Sequence, residues 1–181
     1  PLTAINVRVH SLKKNLAAGL LALTGWTPDV PFLDPMCGSG TIAVEAALIA
    51  ADRAPGLART FGFQKLAWFD GPAWQRMKQT ARDRIRSAPA APALFASDLA
   101  PGAVAKAQSN LRAAQVDAFV AVETADFLAR PAPAARGVLL ANPPYGVRLD
   151  DQEKLARFYP LAGDALKQHF AGWTAFFFTG D

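Results

Sequence analysis

Apolar residues recur every three or four positions in several long stretches of the sequence, a spacing typical of helices with one buried face. Residues 11–25 show it clearly, since four leucines fall on one side and Gly25 follows as a stop signal. The same spacing predicts a helix within residues 37–52, after a glycine-containing turn, and further helices at 70–86, 101–115 and 152–170. Pro160 could kink the last of these.

Short apolar runs alternate with these helices. They predict strands at residues 29–34, 94–98, 137–142 and 173–181, and a strand with the turn after it at residues 118–126. Strands separated by helices imply a mostly parallel sheet with helices on both faces, so the predicted fold class is α/β. A sheet that ended after the fifth strand would leave a long apolar edge unpaired, so we expect the natural protein to continue.

The sequence predicts one domain, residues 1–181, which is long enough to bury a real core. Residues 1–27 form an N-terminal helical segment, and residues 28–181 form the α/β core. An insert at residues 53–92 interrupts the core, with an ordered loop before the helix at 70–86 and an alanine–proline linker after it. Asp70 is a plausible cap for that helix, on which Trp74, Met77, Ala81 and Ile85 form one apolar stripe.

Composition excludes several classes of protein. With 51% hydrophobic residues the chain is not expected to be disordered, and no apolar run is long enough for a membrane span. The first residues lack the layout of a signal peptide, so we expect a cytoplasmic protein. The single cysteine, Cys37, excludes an internal disulfide and a cysteine-rich zinc site, and we expect no metal. Cys37 stands at the start of a predicted helix, where a thiol can be acidic, but no histidine lies nearby in sequence to activate it.

The net charge of +4 is a mild bias toward anionic partners. Much of the basic charge lies in residues 59–86, where only Asp70 and Asp83 are acidic. Phosphate contacts are one use of such a surface, and a solvated helix face is the other. The basic residues there are Arg59, Lys65, Arg76, Lys78, Arg82, Arg84 and Arg86.

A turn with two glycines, "DPMCGSGT" at residues 34–41, follows the first predicted strand and opens a helix. Gly38 and Gly40 let the backbone turn tightly and approach a ligand closely. We expect a side chain at Gly40 to fill the space that the ligand uses. Free N–H groups at the helix start suit an anion, whereas Asp34 better suits a cationic amino group. A tight turn without a ligand is the alternative.

Candidate ligands can be compared by the acidic residues that follow. Gly38, Gly40 and Ala43 fit the loose dinucleotide pattern, but the acid at the end of the next strand, Asp98, lies much further along the chain than usual. The lysine of a nucleoside-triphosphate loop is absent. Asp98 could accept both ribose hydroxyls of an adenosine cofactor, and Asp126 could meet the adenine amino group. A helix cap and a turn residue are the respective alternatives.

The stretch "ANPPYG", residues 141–146, follows the fourth predicted strand. Its two prolines fix two φ angles and push Asn142 into an extended conformation. The Asn142 side-chain oxygen and the Pro143 carbonyl could accept N–H bonds from an exocyclic base amine and hold its nitrogen toward a methyl donor. Tyr145 could stack on the base. An Asn-Pro turn with a packed tyrosine is the alternative.

The sequence resembles the S-adenosylmethionine-dependent N-methyltransferases that carry an N-P-P-Y motif. More narrowly, it resembles the RNA guanine-N2 methyltransferases that are usually joined to a THUMP RNA-binding domain, especially the 23S ribosomal RNA methyltransferase L group. The matching stretches span nearly the whole chain: "SLKKNLAAGLLALTGW", "FLDPMCGSGT", "EAALIAADRAPGLAR", "SDLAPGAVAKAQSNL" and "NPPYGVRL".

The resemblance implies a Rossmann-like class I methyltransferase fold, truncated after the fifth strand, with S-adenosylmethionine as cofactor and S-adenosylhomocysteine as product. It implies that ribosomal RNA is the substrate, with no membrane partner. The resemblance implies that Asn15 lies in a segment that closes over the cofactor. It assigns the ribose to Asp98 and Leu99, and the adenine to Asp126 and Phe127. The residues implied for the methionine part are Asp34, Pro35, Met36, Cys37, Gly38, Ser39, Gly40 and Thr41. The target guanine would be held by Asn142, Pro143, Pro144 and Tyr145, with Asn142 also beside the cofactor.

The family pattern also includes an upstream THUMP domain and two further strands, which lie outside these 181 residues. Adenine N6 or protein-glutamine methylation through the same motif is the enzymatic alternative, and a cofactor- or RNA-binding module without turnover is the non-enzymatic one. A nicotinamide dehydrogenase would explain the glycines and leave the N-P-P-Y motif without a role.

Overall fold

The computed structural model describes residues 12–143 and 149–178, with the backbone alone for residues 149–155. This part of the chain forms five α-helices and five β-strands. In chain order they are α1 (Lys14–Leu23), β1 (Phe32–Asp34), α2 (Thr41–Ala50), α3 (Gly71–Asp83), β2 (Leu94–Asp98), α4 (Pro101–Ala113), β3 (Val120–Thr124), β4 (Gly137–Ala141), α5 (Leu149–His169) and β5 (Trp173–Phe177). Two short 3-10 helices, Gly62–Lys65 and Asp117–Phe119, lie between them.

The strands form one sheet in the order β3-β2-β1-β4-β5, and every neighbouring pair is parallel. The central strand β1 pairs Leu33 with Phe95 of β2 on one side and with Leu139 of β4 on the other. The α/β fold with a parallel sheet, predicted from the alternation of strands and helices, is therefore confirmed.

Helices cover both faces of the sheet, because successive side chains of a strand point to opposite faces. Phe32 lies in one core cluster with residues of α1, α2 and α4. Leu33, its neighbour, lies in a second cluster with Ala162 of α5 and Phe170. Two hydrophobic cores thus hold the strands fixed from both sides, and this fixes the strand ends that carry the candidate site.

Element boundaries differ from the sequence prediction by a few residues. The first helix ends at Leu23, where Gly25 adopts a left-handed conformation with φ of +67°. The strand expected from residue 29 is limited to Phe32–Asp34. Parts of the predicted helix 11–25, strand 173–181 and N-P-P-Y motif lie outside the described residues.

The helix of the insert, α3, behaves only partly as predicted. The Asp70 side chain accepts a hydrogen bond from the Ala73 N–H at 2.8 Å, which confirms the predicted cap. However, no residue of α3 is buried, and Met77 is 63% exposed. The apolar stripe of this helix therefore does not face the core of the domain. No helix in the described part of the chain has the length and apolar character needed to cross a membrane.

Candidate functional site

Apart from Asn15, the predicted site residues that the structure describes lie at the carboxyl edge of the sheet, around the central strand. β1 is followed by α2 on one face, whereas β4, its neighbour, is followed by α5 on the other face. Between two such strands the connecting loops diverge and leave a crevice, which is where open α/β sheets bind ligands. Asp34 ends β1, and Asn142 follows β4.

The glycine turn adopts the backbone conformations for which glycine is suited. Gly38 and Gly40 have φ angles of +53° and +78°. The Gly40 N–H donates to the Cys37 carbonyl at 2.7 Å, and Gly40 then caps α2 with no side-chain hydrogen bond. The N–H groups at the start of α2 are therefore without a side-chain cap, as expected for a ligand-binding turn.

The two glycines have different roles. A Cβ atom at Gly40 would lie 2.9 Å from the Cβ of Ala107 in α4, so this glycine permits close packing of the turn against α4. The expectation that a side chain at Gly40 would fill the ligand's space was therefore wrong. A Cβ atom at Gly38 would meet no described atom within 4 Å. Gly38 is the glycine that faces open space.

Hydrogen bonds from β2 and α4 fix the turn in place. The Asn110 side chain in α4 donates to the Ser39 carbonyl at 2.8 Å, and the Cys37 N–H donates to the Ser97 carbonyl at 2.9 Å. Asp98, at the end of β2, accepts from the Gly38 N–H and from the Ala100 N–H, each at 2.9 Å. The carboxylate predicted to bind a ribose thus contacts the glycine turn directly.

Asp34 is a buried carboxyl group with an unused acceptor. It is 1% exposed, and its Oδ1 has no hydrogen-bond partner among the described residues. Burial raises the pKa of Asp34 to about 8, and the charge of Asp98 adds to the effect, while a backbone hydrogen bond from Met36 opposes it. A buried cation placed here would gain a strong partner and would return the carboxyl to its charged form.

Cys37 is not equipped to act as a nucleophile. Its side chain is buried, and burial raises the pKa of the thiol, with the charges of Asp34 and Asp98 acting in the same direction. Because the thiolate is the reactive form, this cysteine is inert near neutral pH. It serves as a small buried residue of the turn.

The residues expected around an adenine are divided between surface and core. Leu99, next to Asp98, is 70% exposed and offers an apolar face at the edge of the crevice. Asp126 is exposed, and its carboxylate accepts from the Leu128 N–H at 2.9 Å. In contrast, the Phe127 ring is buried in a core cluster and contacts Phe170, so this side chain packs in the core.

Asn142 and Pro143 are the described part of the N-P-P-Y motif. Pro143 is fully buried, which holds the chain fixed after β4. The Asn142 Oδ1 is buried and has no hydrogen-bond partner among the described residues. Pro144 and Tyr145 lie outside the described residues.

Asn15 is the predicted cofactor residue for which the structure gives least support. It is exposed on α1, and its side-chain oxygen accepts the Leu16 N–H. α1 packs on α2, with Lys14 close enough to oppose the rise that burial causes in the pKa of Glu45. The helix is thus beside the glycine turn's helix, but no described contact links Asn15 to the site.

A buried cation beneath the site was missed by sequence reasoning. Arg130 donates to the Ser97 hydroxyl at 2.7 Å and pairs with Glu123 at 2.8 Å. The Ser97 hydroxyl in turn lies 3.4 Å from the Pro35 carbonyl, so this network braces the ends of β1 and β2. Only its place shortly after Asp126 could have indicated Arg130, since its partner Ser97 lies 33 positions away in sequence.

A model of one protein family matches residues 7–181, and its description is "RMKL-like, methyltransferase domain". The chain belongs to this family. Its fold is the Rossmann-like fold of class I methyltransferases, and it is a methyltransferase domain.

Individual relatives agree with the family. A candidate RNA methyltransferase of Synechocystis, slr0064, is 43% identical over 171 residues, which are 94% of this chain and 44% of that protein. A crystal structure of a predicted N6-adenine-specific DNA methylase from Listeria monocytogenes superposes with a TM-score of 0.85 at 32% identity, over 96% of this chain and 46% of that one. The methyltransferase SMU.472, crystallised with S-adenosylhomocysteine, gives 0.85 at 32% identity, over 93% and 44%. The chain therefore spans less than half the length of these relatives.

Proposed function

We propose that this domain transfers a methyl group from S-adenosylmethionine to the exocyclic N2 amine of a guanine in 23S ribosomal RNA. The observation that carries the proposal is the buried side-chain oxygen of Asn142, which has no hydrogen-bond partner among the described residues and lies at the strand end next to the glycine turn. A buried acceptor without a partner costs free energy, and a substrate amine would supply the missing hydrogen bond.

The residues of the turn fit the proposed cofactor. The Oδ1 of Asp34, which has no partner among the described residues, suits the cationic amino group of the methionine part. The open side of Gly38 leaves room for the methionine part of the cofactor to lie against the protein backbone. Asp98 would accept the ribose hydroxyls, and exposed Leu99 would lie against the adenine, with Asp126 near its amino group. When bound, S-adenosylmethionine supplies an electrophilic methyl group to a nitrogen nucleophile.

Asp34 would change its protonation state when the cofactor binds. Its raised pKa keeps the empty carboxyl largely protonated near neutral pH. A cationic amino group beside Oδ1 favours the ionised carboxylate, so the proton is released on binding. Asp34 would thus favour a cationic ligand, because its carboxyl group is buried and its Oδ1 accepts no hydrogen bond from the described residues.

Asn142 would position the target amine. Its side-chain oxygen and the Pro143 carbonyl would accept the two N–H bonds of the amine, which directs the nitrogen toward the methyl donor. The buried Pro143 holds both acceptors in place before the base arrives. Tyr145, which follows in the motif, would stack on the base.

RNA as the substrate is supported by two features. The Synechocystis relative is named for RNA methylation, and the basic residues between Arg59 and Arg86 suit phosphate contacts. The guanine N2 target rests on the family resemblance of "DPMCGSGT", "DRAPG" and "NPPYG" taken together.

Adenine N6 methylation is the second candidate. The Listeria neighbour is titled as an N6-adenine-specific DNA methylase, and an adenine amine could meet the same two acceptors of Asn142 and Pro143. The chemistry at the nitrogen is the same for both bases, so protein contacts to the rest of the base would decide between the two targets.

Methyl transfer to unmodified ribosomal RNA by the full-length protein tests the proposal. The RNA is incubated with S-adenosylmethionine, digested to nucleosides and analysed by mass spectrometry. The proposal predicts N2-methylguanosine in 23S RNA. N6-methyladenosine in its place would favour the second candidate, and S-adenosylhomocysteine binding without any methylated nucleoside in RNA or DNA would contradict both.

A further inference from the structure

Hydrogen bonds join the insert between α2 and β2 to the end of α2 and, through Arg53, to Gln115. The Arg86 N–H donates to the Ala51 carbonyl at 2.9 Å, and the Arg84 guanidinium makes two hydrogen bonds to Asp52, at 2.8 and 3.1 Å. Both ends of the insert are therefore fixed where α2 ends. Between them, α3 buries no residue, so the insert presents most of its surface to solvent.

Aromatic rings hold the insert together without help from the core. The Phe61 and Phe63 rings stack with centroids 5.5 Å apart, and Trp74 of α3 meets both edge-on at 5.8 and 5.2 Å. Phe69 lies 5.8 Å from Phe63. We call these four rings the aromatic cluster. It fixes the loop of residues 61–69 against α3.

Trp68 stands out from this cluster into solvent. It is 81% exposed, although the residue beside it, Phe69, belongs to the cluster. Phe63 and Leu66 are also exposed, at 40% and 41%. Exposing an indole ring to water on a fixed loop forgoes the free energy that its burial would provide. The exposed ring is available to stack on a flat ligand.

Positive charge surrounds these rings. The Arg59 guanidinium lies over the Phe61 ring at 5.3 Å, and the Lys78 ammonium lies 5.8 Å from the Trp74 ring. Residues 59–86 contain seven basic and two acidic residues, a net charge of +5, whereas the other residues contain twelve basic and thirteen acidic, a net charge of −1. The insert therefore accounts for the positive charge of the whole chain.

We propose that the insert is a binding site for single-stranded RNA, in which Trp68 stacks on an unpaired base and the surrounding cations contact phosphates. Exposed aromatic rings interleaved with basic side chains are the arrangement by which proteins bind single strands, because every base offers a ring face and every nucleotide a phosphate. The insert of a second copy of this protein would be repelled, because both inserts carry a net positive charge. The inference rests on the proposed function, since it assigns the insert to the RNA substrate.

The insert would hold RNA away from the reacting nucleotide. α2 starts at the glycine turn and runs for ten residues to Ala50, so its far end, where the insert is attached, is about 15 Å from the turn along the helix axis. We therefore assign the insert to RNA that flanks the target. Loss of this contact should weaken RNA binding and leave the methyl-transfer rate at saturating RNA unchanged.

Fluorescence anisotropy with a short labelled single-stranded RNA tests the inference in the full-length protein. Trp68→Ala is expected to weaken binding about 5- to 150-fold, the range measured for loss of one base–aromatic stack, and Trp68→Phe should retain most of the affinity. Leu23→Ala is the matched control, because Leu23 is 83% exposed on α1 and should have no effect. Arg76→Gln should reduce the dependence of binding on salt, whereas Lys106→Gln on α4 should not.

Three results would overturn the inference: unchanged affinity in Trp68→Ala, an equal loss of affinity for duplex RNA, or no binding of single-stranded RNA by the unaltered protein. The proposed function is judged separately, by the nucleoside that the unaltered protein methylates. If the protein binds single-stranded RNA through Trp68 but methylates no RNA, the proposed binding site stands and the proposed reaction is contradicted.

Discussion

Replacing Asp34 by asparagine should change how the stability of the cofactor-free protein depends on pH. The carboxyl is 1% exposed, and burial raises its pKa to about 8 from a value near 3.8. Between these two pH values the unfolded chain carries the ionised group while the folded protein keeps the proton. The folded state then binds more protons than the unfolded state, so its stability falls as pH rises.

The magnitude follows from the size of the shift. Each pH unit within the window between about pH 4 and pH 8 removes about 1.4 kcal/mol of stability for one fully linked proton. Across the window the upper limit is therefore ~6 kcal/mol. Asparagine has nearly the same shape and does not titrate, so Asp34→Asn should lose this dependence and become the more stable form at pH 8.

Urea unfolding at several pH values between 5 and 8, without cofactor, measures the difference. The stability advantage of Asp34→Asn over the unaltered protein should grow with pH, whereas Asp117→Asn, at an exposed position, should track the unaltered protein. The same variant should bind S-adenosylhomocysteine more weakly, because the amino group loses its charged partner. Parallel pH profiles for Asp34→Asn and the unaltered protein would refute the buried, protonated carboxyl.

Two further predictions concern the turn and its acidic partner. Gly40→Ala should lower the melting temperature, because its Cβ would lie 2.9 Å from Ala107, whereas Gly38→Ala should weaken cofactor binding with a smaller loss of stability. Calorimetry with the cofactor and thermal melts of both variants measure these effects. The reverse pattern would contradict the roles assigned to the two glycines. Asp98→Ala should weaken S-adenosylmethionine binding about 10- to 100-fold, since a hydrogen bond to a charged group contributes roughly 1.5–3 kcal/mol, and an unchanged calorimetric affinity in the folded variant would remove Asp98 from the site.

Much of the fold could be predicted from the sequence because local patterns specify it. The spacing of apolar residues identifies the helices, and a glycine turn between a strand and a helix implies a ligand edge at the carboxyl end of a parallel sheet. Asp34, Gly38 and Asp98 were placed there by this argument. The structure brings them together, with Asp98 accepting the Gly38 N–H.

What could not be predicted depends on packing between distant residues. The role of Gly40 is set by Ala107, and Arg130 reaches Ser97 across 33 positions of sequence. The apolar stripe of α3 has the spacing of a buried face, yet its main partner is the aromatic loop before it and not the core. Periodicity shows that a face is apolar, and it does not show what covers it.

Single-turnover methyl transfer by Asn142→Ala, with cofactor affinity measured separately, tests the central claim most directly. The Asn142 side-chain oxygen is buried, has no hydrogen-bond partner in the described part of the chain and is assigned to the target amine. Its loss should slow transfer to unmodified ribosomal RNA by about 10²–10³ at saturating cofactor, while cofactor affinity changes little. Asp98→Ala provides the contrast, since it should lose cofactor affinity and recover its rate when cofactor is saturating. A near-native rate in Asn142→Ala at saturating cofactor would contradict the proposed mechanism.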